Sequence, residues 1–76
     1  MKVKINLDTK TSAAKLVEIA STLDEKEQAF LTDGNNMRVS AKSLLGAVCA
    51  QFDFNEIWLE TENDHYFLFK DFIVEE

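Results

Sequence analysis

Three groups of side chains in this 76-residue chain have the types and spacing to do chemistry or recognition. Ser43 precedes an apolar helical run that contains Leu44, Leu45, Val48 and Phe52. A serine there is an N-cap, its hydroxyl accepting from a free N–H of the first turn. A phosphate at that position would be tolerated, because about −1.5 to −2 charges at a helix N-terminus meet free N–H groups and the positive end of the dipole. Leu44, Leu45 and Val48 cannot all face the core if Ala47 and Phe52 also pack. Either the helix buries this stripe, or an exposed patch marks a partner surface or a self-association surface.

The second group is Thr9, Lys10, Thr11 and Ser12. At a helix start, their hydroxyls, an ammonium and the backbone N–H groups would suit a phosphate or sulfate; the plainer alternative is an ordinary capped helix. The third is His65, flanked by Asp64 and Tyr66. A carboxylate neighbour could hold a charged imidazole, although an isolated surface histidine is commoner. Catalysis is not suggested. With one histidine and one cysteine, multi-histidine metal sites, cysteine-based zinc sites and an internal disulfide framework are excluded. Neither a metal nor a cofactor is expected. Cys49 reads as a small core residue of the second helix.

Periodicity supplies the elements that must position these groups. Residues 2–7 alternate, with Val3, Ile5 and Leu7 on one side, as in a half-buried strand. Residues 12–23 change to helical spacing through Ala13, Leu16, Ala20 and Leu23, with Thr9, Thr11 or Ser12 as cap. Residues 28–32 and 37–40 are short strands around Asp33-Gly34-Asn35-Asn36, and Asp-Gly is a strong hairpin signal. A second helix covers 43–52. Residues 56–61 form a strand with Ile57 and Leu59 on one face, leaving Trp58 on the other, either packed or exposed as a contact site. The aromatic tail suits a strand or a heavily buried helix; its length and the caps Asn63 or Asp64 predict a helix over 64–74, with Asp71 to Glu76 as its solvated acidic end. The order β-α-β-β-α-β-α predicts one α+β domain over residues 1–76, a four-stranded antiparallel sheet with three helices on one face.

Composition bounds the partners. The net charge is −6, and the hydrophobic fraction of 46% is ordinarily globular. Fourteen acidic against eight basic residues argue against nonspecific nucleic-acid binding, which needs a basic face. Apolar runs fall far short of the ~20 residues that cross a bilayer. The alternating start Met1-Lys2-Val3-Lys4-Ile5 lacks a signal-peptide core, so a cytoplasmic location without membrane contact is expected.

Two blocks carry a family resemblance. Residues 12–21, Ser-Ala-Ala-Lys-Leu-Val-Glu-Ile-Ala-Ser, and residues 40–48, Ser-Ala-Lys-Ser-Leu-Leu-Gly-Ala-Val, together with the element order, resemble HPr, the histidine-containing phosphocarrier of the bacterial sugar phosphotransferase system. The first block is similar to that family's first helix, where a proline usually stands at the Ser12 position. The second is similar to its regulatory-serine segment. The resemblance implies an open-faced β-sandwich, phosphorylation of Ser43 by an HPr-type serine kinase, and docking through Leu44, Leu45 and Val48.

The chain departs from the family at the phosphoryl acceptor, a histidine just before the first helix, followed within two residues by an arginine. Read without gaps, Thr9 takes the histidine's place and Thr11 the arginine's. With one inserted residue, Asp8-Thr9-Lys10 stands for the His-Thr-Arg triplet. Neither alignment supplies a histidine, and a threonine phosphoester is too stable to pass its group on. The central hairpin is also longer, and the C-terminal segment shorter, than the family pattern.

The expectation is a non-enzymatic, regulatory or vestigial HPr-like protein. It would bind an HPr-type serine kinase, a phosphotransferase enzyme or a transcriptional regulator through helix 43–52, under control of Ser43. The alternatives are an active phosphocarrier with an unexpected acceptor, and an unrelated small α+β interaction domain.

Overall fold

The computed structural model describes residues 1–9 and 11–74. Its elements are β1 (Lys2–Ile5), α1 (Ser12–Ala20), β2 (Ala29–Thr32), β3 (Arg38–Ser40), α2 (Leu44–Asp53), β4 (Ile57–Thr61) and α3 (Tyr66–Phe69). The strands form one antiparallel sheet in the order β1-β4-β2-β3. The α+β class, the four-stranded antiparallel sheet and the three helices are as the sequence predicts.

Register explains which face is covered. Leu59 lies opposite Val3 on one side and Leu31 on the other, and Leu31 lies opposite Val39. Strand side chains alternate between faces, so this row points one way and meets the helices. Leu16 and Ala20 from α1, Ala47 and Ala50 from α2, and Phe69 from α3 are fully buried with Leu31 and Leu59. Each large side chain among them contributes about 1.5–3 kcal/mol relative to exposure. The other face carries Lys2, Lys4, Phe30, Arg38, Trp58 and Glu60. Here the Arg38 guanidinium sits 4.1 Å from the Phe30 ring and 3.3 Å from Glu60, and the Lys2 ammonium 5.9 Å from the Trp58 ring. Trp58 is thus half-buried on the helix-free face, among paired charges of both signs.

The two glycines have separate structural reasons. Gly34 adopts φ +82° at the hairpin tip, a conformation other residues rarely enter. Asp33 closes this turn by accepting from Asn35 N–H at 2.8 Å and Met37 N–H at 3.2 Å. Gly46 lies where α2 crosses β3: a methyl group there would stand 3.0 Å from the Ser40 carbonyl oxygen and 3.2 Å from Val39 Cβ.

The tail corrects the expectation of a helix over 64–74. The helix is one turn, Tyr66–Phe69, and the chain then runs beside β1. Ile73 bridges Ile5, Asn6 N–H donates to the Phe72 carbonyl at 2.8 Å, and Val74 N–H donates to the Lys4 carbonyl at 2.9 Å. The outer edge of β1 would otherwise carry unpaired backbone groups, and an extended segment satisfies them where a helix cannot. Asp71 therefore lies beyond the helix; Glu75 and Glu76 lie outside the described residues. Nor is the tail heavily buried: Phe69 is, whereas Phe67 is exposed. Helix α1 also stops at Ala20, before the expected residue 23, although Leu23 still reaches the core.

Candidate functional site

Ser43 is the N-cap of α2. Its backbone is extended (φ −104°, ψ 122°), and its Oγ accepts from Gly46 N–H at 3.2 Å. The segment leading in is anchored on both sides: Ser43 N–H donates to the Ser40 carbonyl at 3.2 Å, and Lys42 Nζ donates to the Asp24 carbonyl at 2.9 Å. Helix α2 therefore leaves β3 in a set direction, with Gly46 against the strand.

That direction decides which side chains face outward. Ala47 and Ala50 are buried, so the opposite side of α2 points away from the sheet. Leu44 is 53%, Leu45 75% and Phe52 80% exposed. Val48, half-buried, packs against the core at the margin of this surface. Of the three expected partner-binding residues, Leu44 and Leu45 are thus presented outward and Val48 only in part. Phe52, another apolar position of the same run, is outside as well. Cys49, expected as a small core residue, is exposed on the same side. Leu45, Cys49 and Phe52 follow at i, i+4 and i+7, one face of a helix.

The start of α1 brings Thr9, Thr11 and Ser12 together; Lys10 lies outside the described residues. The hydroxyls bond one another: Thr9 Oγ1 is 2.6 Å from Ser12 Oγ and 3.4 Å from Thr11 Oγ1, and Ser12 Oγ also accepts from Thr9 N–H at 3.2 Å. Thr11 is the N-cap but makes no side-chain capping bond. The adjoining cleft, of about 430 Å³, is lined by Asp8, Glu18 and Asp71 against Lys15. Among the described residues, the cleft therefore sets three carboxylates against one ammonium.

His65 is not isolated, and its partner is not Asp64. Its Nε2 lies 2.9 and 2.8 Å from the two carboxylate oxygens of Glu27, which is buried and also accepts from Asn63 N–H at 3.0 Å. Burial pushes the Glu27 carboxyl up, but the hydrogen bonds from His65 and Asn63 outweigh it and hold the group below the ordinary carboxylate range. An ionised carboxylate only accepts, so Nε2 carries the proton of this contact. The pair ties the loop before α3 to the segment before β2. Glu27 stands in the polar run Asp24-Glu25-Lys26-Glu27, where nothing in the sequence distinguishes it.

Among the described residues, no cluster of three or more potential ligands could hold a metal ion, and no helix is long and apolar enough to cross a membrane. Comparison of the chain with family models, curated proteins and solved structures finds no match. The fold and the α2 surface therefore carry the functional argument: a small α+β domain presenting an apolar helix face behind a serine cap.

Proposed function

We propose that this chain is an HPr-like regulatory protein without phosphocarrier activity, which binds a protein partner through α2 and is controlled at Ser43. The observation that carries the reading is the direct succession of the Ser43 cap and the outward-facing Leu44 and Leu45. A phosphate on Ser43 would replace a neutral acceptor at the helix N-terminus with an anionic one, so the fold tolerates it. It would also put negative charge beside the apolar surface, repelling acidic partners and attracting arginines. Support against phosphoryl relay comes from the start of α1, which offers hydroxyls where the family has an imidazole.

The test is incubation with an HPr-type serine kinase and ATP, in parallel with the general phosphotransfer enzyme and phosphoenolpyruvate. The expected result is an acid-stable label that Ser43→Ala abolishes, and no acid-labile label. Equal labelling of wild type and Ser43→Ala, or none of either, removes the regulatory reading. An acid-labile label restores the phosphocarrier.

A further inference from the structure

We propose that the partner of α2 is a basic segment: one that sets apolar side chains on Leu45 and Phe52 and an arginine or lysine at the C-terminal end of the helix. This rests on the reading of α2 as a docking face and adds the chemistry of what docks there.

The apolar part is a row. Leu45, Cys49 and Phe52 lie along one side of α2, spanning about 10 Å at the helical rise, which suits two or three apolar side chains of a partner. The charge at the two ends of the row is unequal. At the N-terminal end, the Lys42 ammonium is engaged with the Asp24 carbonyl. At the C-terminal end, the last turn holds Asp53 and no basic residue, so a carboxylate adds to the negative end of the helix dipole. Gln51 Nε2 donates to the Leu7 carbonyl at 2.9 Å and the Thr9 carbonyl at 2.7 Å, which draws the Asp8 stretch alongside this end. Neither Asp8 nor Asp53 is in an ion pair among the described residues. A cation arriving here meets the Asp53 carboxylate and the negative end of the helix dipole, and the net charge of −6 steers it inward from a distance.

A second copy of the chain fits less well. The exposed Leu44, Leu45, Cys49 and Phe52 offer a patch on the order of a few hundred Å², below the roughly 800 Å² per partner of a stable interface. Two chains of the same net charge also repel. The features match a transient, oppositely charged protein segment.

The test titrates the full, ¹⁵N-labelled chain with a helical peptide that has leucines at i, i+4 and i+7 flanked by arginines, and with its twin in which glutamates replace the arginines. The arginine peptide is expected to bind roughly tenfold or more tightly than the twin, to shift the amides of residues 44–53, and to weaken with salt. The exposed-site double variant Leu45→Ser/Phe52→Ser keeps the charge and should lose the binding; Asp53→Asn should weaken it and flatten its salt dependence. Equal or tighter binding of the glutamate peptide at 44–53 overturns the charge assignment and leaves α2 as a docking face. Arginine-peptide binding that survives the double variant is general attraction to an acidic protein and overturns the proposal. If neither peptide shifts residues 44–53, both the proposal and the docking reading fail. Concentration-dependent self-association through 44–53 assigns the face to a second copy and also overturns it.

Discussion

Helices α1 and α2 have nine and ten residues and pack against each other over the same sheet, yet they place their apolar side chains oppositely. In α1, Ala13, Leu16 and Ala20 are buried, and the outward side carries Lys15 and Glu18. In α2, only Ala47 and Ala50 are buried, and the outward side carries Leu44, Leu45 and Phe52. The first arrangement is what stability alone requires of an amphipathic helix. The second keeps large apolar groups in water, which does nothing for folding and is the observation on which the proposed docking face rests.

The sharpest way to break this contrast is to truncate one leucine in each helix. Leu16→Ala should cost about 2–5 kcal/mol, because Leu16 is wholly enclosed and its loss leaves a cavity. Leu45→Ala should change stability by no more than about 0.5 kcal/mol, as exposed positions do. Urea unfolding of both variants measures the difference. A Leu45→Ala cost comparable to that of Leu16→Ala would show that the α2 face is structural.

The second experiment asks whether α2 is oriented by its glycine. Alanine is the better helix former by about 1 kcal/mol. Even so, Gly46→Ala should destabilise by about 1–3 kcal/mol through overpacking against the Ser40 carbonyl and Val39. A stabilised variant would mean that α2 can shift on β3, and that its outward face is not held in place.

These expectations also mark what the sequence could reveal. The strands expected at 2–7, 28–32, 37–40 and 56–61 were legible to within two residues at each end, because alternation marks Val3 and Ile5, Ile57 and Leu59 share a face, and Asp33-Gly34 announces its own turn. The existence of α2 was legible, but its rotation was not. Leu-Leu-Gly-Ala-Val-Cys-Ala-Gln-Phe is apolar on nearly every side, so no phase is preferred until Gly46 meets β3 and the two alanines turn inward. That is why Cys49 reads as core and the outward position of Phe52 is not evident. The tail failed for a different reason: its aromatic run suits helix or strand, and the unpaired edge of β1, remote in sequence, decides. The partnership of Glu27 with His65 joins residues 38 apart and leaves no local pattern.

Ser43→Ala sharpens the comparison at the helix starts. Ser43 caps α2 through Gly46 N–H, whereas Thr11 of α1 makes no such bond. Ser43→Ala should therefore cost about 0.5–2 kcal/mol, and Thr11→Ala less. Thermal melts of the two variants side by side would show it; equal losses would deprive the Ser43 cap of its special standing.

The smallest effect at neutral pH, visible mainly as a slope, concerns the corner where Glu27 holds the loop before α3. Glu27 is depressed in the folded chain, so folding favours its ionised form. Its contribution is fully present above the ordinary carboxylate range and is lost as pH falls through its lower folded value. Urea midpoints measured from pH 7 down to pH 3 should therefore decline in the acid limb. Glu27→Gln keeps an oxygen that accepts from Asn63 N–H but lacks the ionised form that folding favours, so it should lower stability modestly at pH 7 and make the acid decline shallower than in wild type. The α2 face lies on a different part of the chain, so peptide binding at residues 44–53 should be unaffected at pH 7. An acid limb unchanged by Glu27→Gln would assign the decline to other carboxylates, and loss of α2 binding in this variant would show that the two regions are coupled rather than separate.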